Sequence, residues 1–160
     1  MLKIYLDTSL IIKRYVTEPG TEIADMLFDN AERGNLSLRF SLWNIGEILG
    51  VLDERLRRGW ITEKDFIIIM KNLSSELLKL LHLRSLEIIP VHTPILAETW
   101  PLILSNHIYE ADALQIATCI QTKSDILISG DKKLVQIGRK IGVESLHVTE
   151  DKEKIEEILK

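Results

Sequence analysis

Four acidic residues, Asp7, Glu47, Asp112 and Asp131, come from separate segments of the chain. Three of them, Asp7, Asp112 and Asp131, stand at or near the start of a predicted helix. Taken singly, an aspartate there is an ordinary cap that satisfies first-turn amides and contributes about 1 kcal/mol. Taken together, four like charges drawn to one sheet edge would repel and push each other's pKa up. A hard divalent cation with carboxylate and water ligands relieves that repulsion, and Mg²⁺ is such a cation. The pattern therefore predicts an acidic metal site.

Glu47 lies in mid-helix, about half a turn from the apolar stripe Leu42, Ile45, Leu49, Leu52 and Leu56. Its own face carries Trp43, Gly46, Gly50 and Val51, and two helical glycines cost about 1 kcal/mol each relative to alanine. The expectation is that something packs closely over this face. Glu47 would then be partly desolvated and need a cation or a donor, with Asn44 as its candidate partner. Glu110 points elsewhere on the helix than Asp112 and reads as rim. Trp43, Trp60 and Trp100 occur singly on helices and read as packing residues.

Rival chemistries lack their residues. His82, His92, His107 and His147 show no metal-ligand spacing, and one cysteine, Cys119, argues against structural zinc. No Gly-x-Gly, P-loop or Gly-x-Ser-x-Gly element exists. A haloacid-dehalogenase-like phosphatase wants a second Asp two residues after the first, where this chain has Ser9, and a receiver wants paired acids at a strand end.

The elements that must position the acids follow from periodicity. Leu2, Ile4 and Leu6 alternate as a strand before Asp7-Thr8-Ser9 opens a helix that stops at Pro19-Gly20. A second helix begins at Thr21 and ends at Gly34; Leu36 to Phe40 is a strand; Ser41 caps a third helix that ends at Gly59. Thr62 with Asp65 forms a capping box before a long helix or broken pair running to Leu83, striped by Ile67, Met70, Leu73, Leu77 and Leu80. Leu86 to Val91 reads as a strand, and Thr93 caps a helix with Pro94 at its first position, ending near Ser105. Tyr109 to Gln121 is helix, Asp125 to Ser129 strand, Asp131 to Ile141 helix and Ser145 to Val148 strand, with Thr149 capping a charged terminal helix over 149–160. Strands recurring between helices predict an α/β domain with a mostly parallel sheet. In such a sheet the ligand crevice lies beyond the carboxyl ends of the strands, which is where Asp7 and Asp131 fall.

A length of 160 residues fits one domain over 1–160. With 46% hydrophobic and 28% charged residues the chain is a folded, core-forming one. Net charge is −4, from 20 basic and 24 acidic side chains, so any nucleic-acid contact must come from a local patch. The single cysteine predicts a reducing compartment, the cytoplasm. No apolar run nears the roughly 20 residues of a spanning helix, and the first residues do not read as a signal peptide.

These residues resemble the PIN domain, and among PIN domains the VapC-type ribonuclease toxins of type II toxin–antitoxin pairs. The resemblance rests on Ile4-Tyr5-Leu6-Asp7-Thr8-Ser9, the segment from Ser41 to Gly50 around Glu47, Ala111-Asp112-Ala113-Leu114-Gln115-Ile116-Ala117 and Ile128-Ser129-Gly130-Asp131, in that order over nearly the whole chain. The stretch between Glu47 and Asp112 is longer than in compact toxins, and Leu134 stands where an aromatic is common.

The resemblance implies a three-layer α/β/α domain, an acidic Mg²⁺ or Mn²⁺ site and endoribonuclease activity. Asp7, Glu47, Asp112 and Asp131 would be the catalytic acids. Asp7 and Asp112 would bind the metal directly, Glu47 and Asp131 through water. Thr8, Ser9, Asn44 and Ser129 would hold them. An acidic site must still attract a polyanion, so basic rim residues are expected, with Lys13, Arg14 and Lys132 the candidates for RNA binding and Arg55, Arg58 and Lys133 further ones, while Arg57 reads as ordinary helix surface. The partners implied are RNA, an antitoxin and a second copy in a homodimer, with no membrane. The alternative is a PIN-fold RNA- or protein-binding module with weak or no catalysis.

Overall fold

The computed structural model describes residues 1–160. Five strands, β1 (Leu2–Leu6), β2 (Leu36–Ser41), β3 (Leu86–Ile89), β4 (Ile126–Ser129) and β5 (Ser145–His147), form one sheet in the order β3-β2-β1-β4-β5. Every pairing is parallel, so the mostly parallel expectation becomes wholly parallel. The chain builds outward from β1 through β2 to β3, then returns to lay β4 on the other side of β1. That reversal opens a crevice between β1 and β4 at their carboxyl ends, because the connections leave in opposite directions there.

Eight helices complete the chain: α1 (Thr8–Lys13), α2 (Thr21–Glu32), α3 (Leu42–Arg57), α4 (Glu63–His82), α5 (Thr93–Asn106), α6 (Glu110–Gln121), α7 (Lys132–Lys140) and α8 (Lys152–Ile158). Strand alternation sorts them into layers. Ile4 and Leu6 of β1 join the larger core with residues of α1, α2, α3 and α4, while Tyr5 between them joins Ala113, Ile116 and Leu134 of α6 and α7. The result is a three-layer α/β/α sandwich.

Several local expectations change. The core face of α3 is Asn44, Ile48 and Leu52, whereas Leu42 is 54% and Leu49 40% exposed. Of the expected stripe, Leu52 is buried and Ile45 packs against the core, whereas Leu42 and Leu49 matched the helical spacing but face outward. Nothing lies within 4 Å of a Cβ built on Gly46 or Gly50, so no close packing explains those glycines. Trp43, Trp60 and Trp100 are 50%, 65% and 63% exposed and are not packing residues. One continuous α4 replaces the broken pair, begun by the expected Thr62–Asp65 capping box. Its core stripe runs through Ile69, Leu73, Leu77 and Leu80, and Ile67 is exposed. Thr93 lies inside α5, which His92 caps, and Asp151 rather than Thr149 caps α8.

Candidate active site

Asp7 ends β1 and caps α1, its Oδ1 accepting from the Leu10 N–H at 3.1 Å. The strand register pairs Leu6 with Ile128, which sets the following residues, Asp7 and Ser129, side by side. Ser129 Oγ donates to Asp7 Oδ2 at 2.9 Å, and Ser9 Oγ lies 2.8 Å from both carboxylate oxygens. All these partners are neutral donors, and no basic side chain bonds the carboxylate. Only 6% of Asp7 is exposed. Burial outweighs the hydroxyl and amide donors and pushes its pKa up to about 6.

The same two hydroxyls fix the loop on the far side of the crevice. The Gly130 N–H donates to Ser9 Oγ and the Asp131 N–H to Ser129 Oγ, each at 2.8 Å. Asp131 is both a cap and a site residue. Its Oδ1 accepts from the Lys133 and Leu134 amides of α7 at 2.8 and 3.3 Å, and its side chain lines the same concavity as Asp7.

Glu47 reaches this concavity because α3 packs across α1. Thr8 Oγ1 donates to Glu47 Oε2 at 2.5 Å and itself accepts from Asn44 Nδ2 at 3.0 Å. Asn44 therefore acts on Glu47 through Thr8 rather than directly. Gln115 Nε2 also donates to Glu47 Oε2, at 3.2 Å, while Gln115 Oε1 accepts from the Tyr5 hydroxyl at 2.7 Å. Tyr5 in turn accepts from the Ser41 N–H, so a buried polar chain ties β1, β2 and α6 to Glu47. Asp112, half-buried at the start of α6, has its pKa raised by burial first and by Asp131 second. The Lys133 ammonium opposes that rise and Glu47 adds to it.

Asp7, Glu47, Asp112 and Asp131 thus line one concavity of about 330 Å³, together with Thr8, Ser9, Gln115, Glu18 and Arg55. No three His, Cys, Asp or Glu side chains lie in an arrangement that could hold a metal ion by themselves. The donor set fits a hard divalent cation: all its charged ligands are carboxylates, and the most buried of them has no counter-charge in the protein.

The basic rim differs from expectation. Arg14 does not line the concavity; its guanidinium meets Asp25 at 2.8 Å, Asp29 at 3.1 Å and Glu76 at 2.6 Å. Lys132 pairs with Glu150, and Lys133 is the lysine that Asp112 feels. Lys13 stands close by, partly buried against Gly130 and paired with Glu18 at 3.0 Å. Gln115 and Glu18 are pocket residues the sequence reading did not assign to the site, whereas Arg55, expected on its basic rim, does line it. Gln115 follows Asp112 by three residues, and Arg55 follows Glu47 by eight, so both spacings put the pair on one helical face. Glu18 sits in the α1–α2 connection and carried no such signal.

A family profile described as PIN domain matches residues 4–140. No curated protein sequence matches the chain. Similar solved structures include PAE2754 of Pyrobaculum aerophilum, at 15% identity and a TM-score of 0.64, covering 99% of this chain and 94% of that one. The FitAB complex bound to an IR36 DNA fragment contains a chain 16% identical with a TM-score of 0.66, covering 91% and 94%. VapC20 of Mycobacterium tuberculosis, titled a sarcin-ricin loop cleaving toxin, is 14% identical with a TM-score of 0.61, covering 84% and 95%.

Proposed function

Because this chain belongs to the PIN domain family, we propose that it is a metal-dependent endoribonuclease and the toxin of a toxin–antitoxin pair. The carrying observation is Asp7: a buried carboxylate, held by neutral donors, in a concavity that also brings in Glu47, Asp112 and Asp131. Asp7 and Asp112 would hold Mg²⁺ or Mn²⁺ directly, Glu47 and Asp131 through water. The chemistry such an ion would supply is a lowered pKa for its water and charge neutralisation during an in-line displacement at phosphorus.

The remaining work falls to the protein. Thr8 and Gln115 both donate to Glu47 Oε2, which leaves Oε1 without a protein partner and able to accept the proton of the attacking water. Asp131 is oriented by the amides on its Oδ1, with Oδ2 free to position a water. Ser9 and Ser129 keep Asp7 and the Asp131 loop in register. The products would carry a 5′-phosphate and a 3′-hydroxyl, so the RNA 2′-hydroxyl serves recognition rather than chemistry.

The toxin reading carries two protein partners, an antitoxin and a second copy. Leu42 and Trp43 are exposed beside Glu47, and Trp43 also lines an adjoining groove with the exposed Leu96 and Trp100, which together supply apolar surface for such contacts. The likeness to the FitAB and VapC20 structures supports this assignment. No helix is long and apolar enough to cross a membrane, and the reading places the protein in the cytoplasm.

The test is cleavage of mixed single-stranded and transfer RNA with Mg²⁺, Mn²⁺ or EDTA, alongside Asp7→Asn and Asp112→Asn. Metal-dependent cutting that both substitutions abolish, in proteins that still fold, is the expected result. RNA binding without cutting in either metal, unchanged in both variants, would replace the nuclease with a binding module.

A further inference from the structure

The concavity that gathers four carboxylates also has a basic wall, built by a device unlike the other arginine pairs of the same helix. Arg57 and Arg58 pair with Asp53 and Glu54 one turn back, on the exposed surface of α3. Arg55 has Val51 at that spacing, and it reaches instead to Glu18 in the α1–α2 connection, Nη2 to Oε2 at 3.0 Å. Glu18 gives its other oxygen to Lys13, at 3.0 Å. Two cations therefore share one carboxylate, leaving a net charge of +1 in this wall. Lys13 reaches Glu18 by crossing Gly130, where a Cβ would lie 2.9 Å from Lys13 Cε. The loop that carries Asp131 is shaped around the same ion triad.

The Arg55 guanidinium is held but not used up. Its Nε and Nη1 bond nothing in the protein, and neither is sealed from solvent. Glu47, Val51 and Arg55 all line the concavity from one face of α3. Eight residues at about 1.5 Å each set Arg55 roughly 12 Å along the helix from Glu47. We infer that Arg55, positioned by Glu18 and Lys13, binds a backbone phosphate of the substrate strand that flanks the one being cut. Nη2 carries a second N–H besides the one given to Glu18, and with Nε or Nη1 it completes a planar fork that matches two phosphate oxygens at once, as an ammonium does not. This rests on the nuclease reading for the identity of the anion.

The experiment measures binding of a short fluorescein-labelled single-stranded RNA of mixed sequence by anisotropy, in Mg²⁺, with every protein carrying Asp7→Asn to prevent cutting. Adding Arg55→Gln should weaken Kd about tenfold and reduce the slope of log Kd against log salt by about 0.7. Adding Arg57→Gln should change neither. If Arg55→Gln loses its cooperative melt, Arg55→Lys is read instead: the salt slope should stay and Kd should weaken a few-fold. A Kd and salt slope equal to the background in the folded Arg55 variant, or an equal effect of Arg57→Gln, overturns the assignment. The two readings fail separately. Wild-type protein that binds this strand with Arg55-dependent salt slope but never cuts it refutes the nuclease, whereas cutting with KM unchanged in Arg55→Gln refutes the phosphate seat.

Discussion

The two ends of α1 hold carboxylates in opposite ways. At its C-terminal end Arg14 draws Asp25, Asp29 and Glu76 around one guanidinium, which also lies 5.6 Å from the Phe28 ring centroid. Tyr15 adds a hydroxyl to Glu76 at 2.8 Å. At the N-terminal end Asp7, Glu47, Asp112 and Asp131 converge on a concavity where Asp7 and Glu47 are met by hydroxyls and amides alone. Both regions are acidic, but the first bonds its carboxylates to a cation and the second leaves Asp7 and Glu47 bonded to none. The Arg14 cluster is thereby a structural joint between α1, α2 and α4, and the concavity the candidate site.

Substitutions should separate the two ends. Asp112→Asn should lower metal-dependent RNA cleavage by about a thousandfold or more while leaving the denaturation midpoint near wild type. Cleavage retained with the midpoint lost would reverse the assignment of roles. Arg14→Met should do the opposite, costing about 3 kcal/mol in urea unfolding because three carboxylates lose the cation at their centre. Its RNA cleavage at a temperature where it is folded should match wild type, and a selective rise in KM would return Arg14 to the substrate path.

Acidity sharpens the comparison further. The fold favours the neutral form of Asp7, whose pKa is about 6 against an ordinary 3.8. Its contribution to stability is therefore complete below about pH 4 and is lost as pH rises through 6. Metal-free wild type should lose roughly 3 kcal/mol relative to Asp7→Asn across that window, and Mg²⁺ at neutral pH should restore part of it. Parallel stability curves for the two proteins would show that burial is not what sets the Asp7 charge. The smallest effect is expected for Ser129→Ala, which removes one donor from Asp7 and the acceptor of the Asp131 amide. Metal activation of cleavage should weaken about tenfold, read as a shift in the Mg²⁺ midpoint with little change at saturation.

Much of this site was legible in the chain because its residues follow strands or open helices, where local rules fix direction. Asp7 after Leu2–Leu6 and Asp131 after Ile126–Ser129 had to emerge at one sheet edge once the strands were parallel. Helical spacing alone did not choose the inward face of α3. Leu42 and Leu49 fit a stripe with Ile45 and Leu52, yet they are exposed while Asn44 and Ile48 go inside with Leu52. A buried asparagine has no apolar signature; inside, its Nδ2 donates to Thr8 while its Oδ1 has no partner in the protein.

Sequence by itself therefore determined the alternation of strands and helices, the four acids and the parallel layering, since these depend on near neighbours and on connection rules. Only the tertiary structure decided which cations are free. Lys13, Arg14, Arg55 and Lys132 look alike in a sequence, and each is assigned by the carboxylates that distant segments bring to it. Ion pairing is a property of distances across the fold, which charge counts along a chain do not contain.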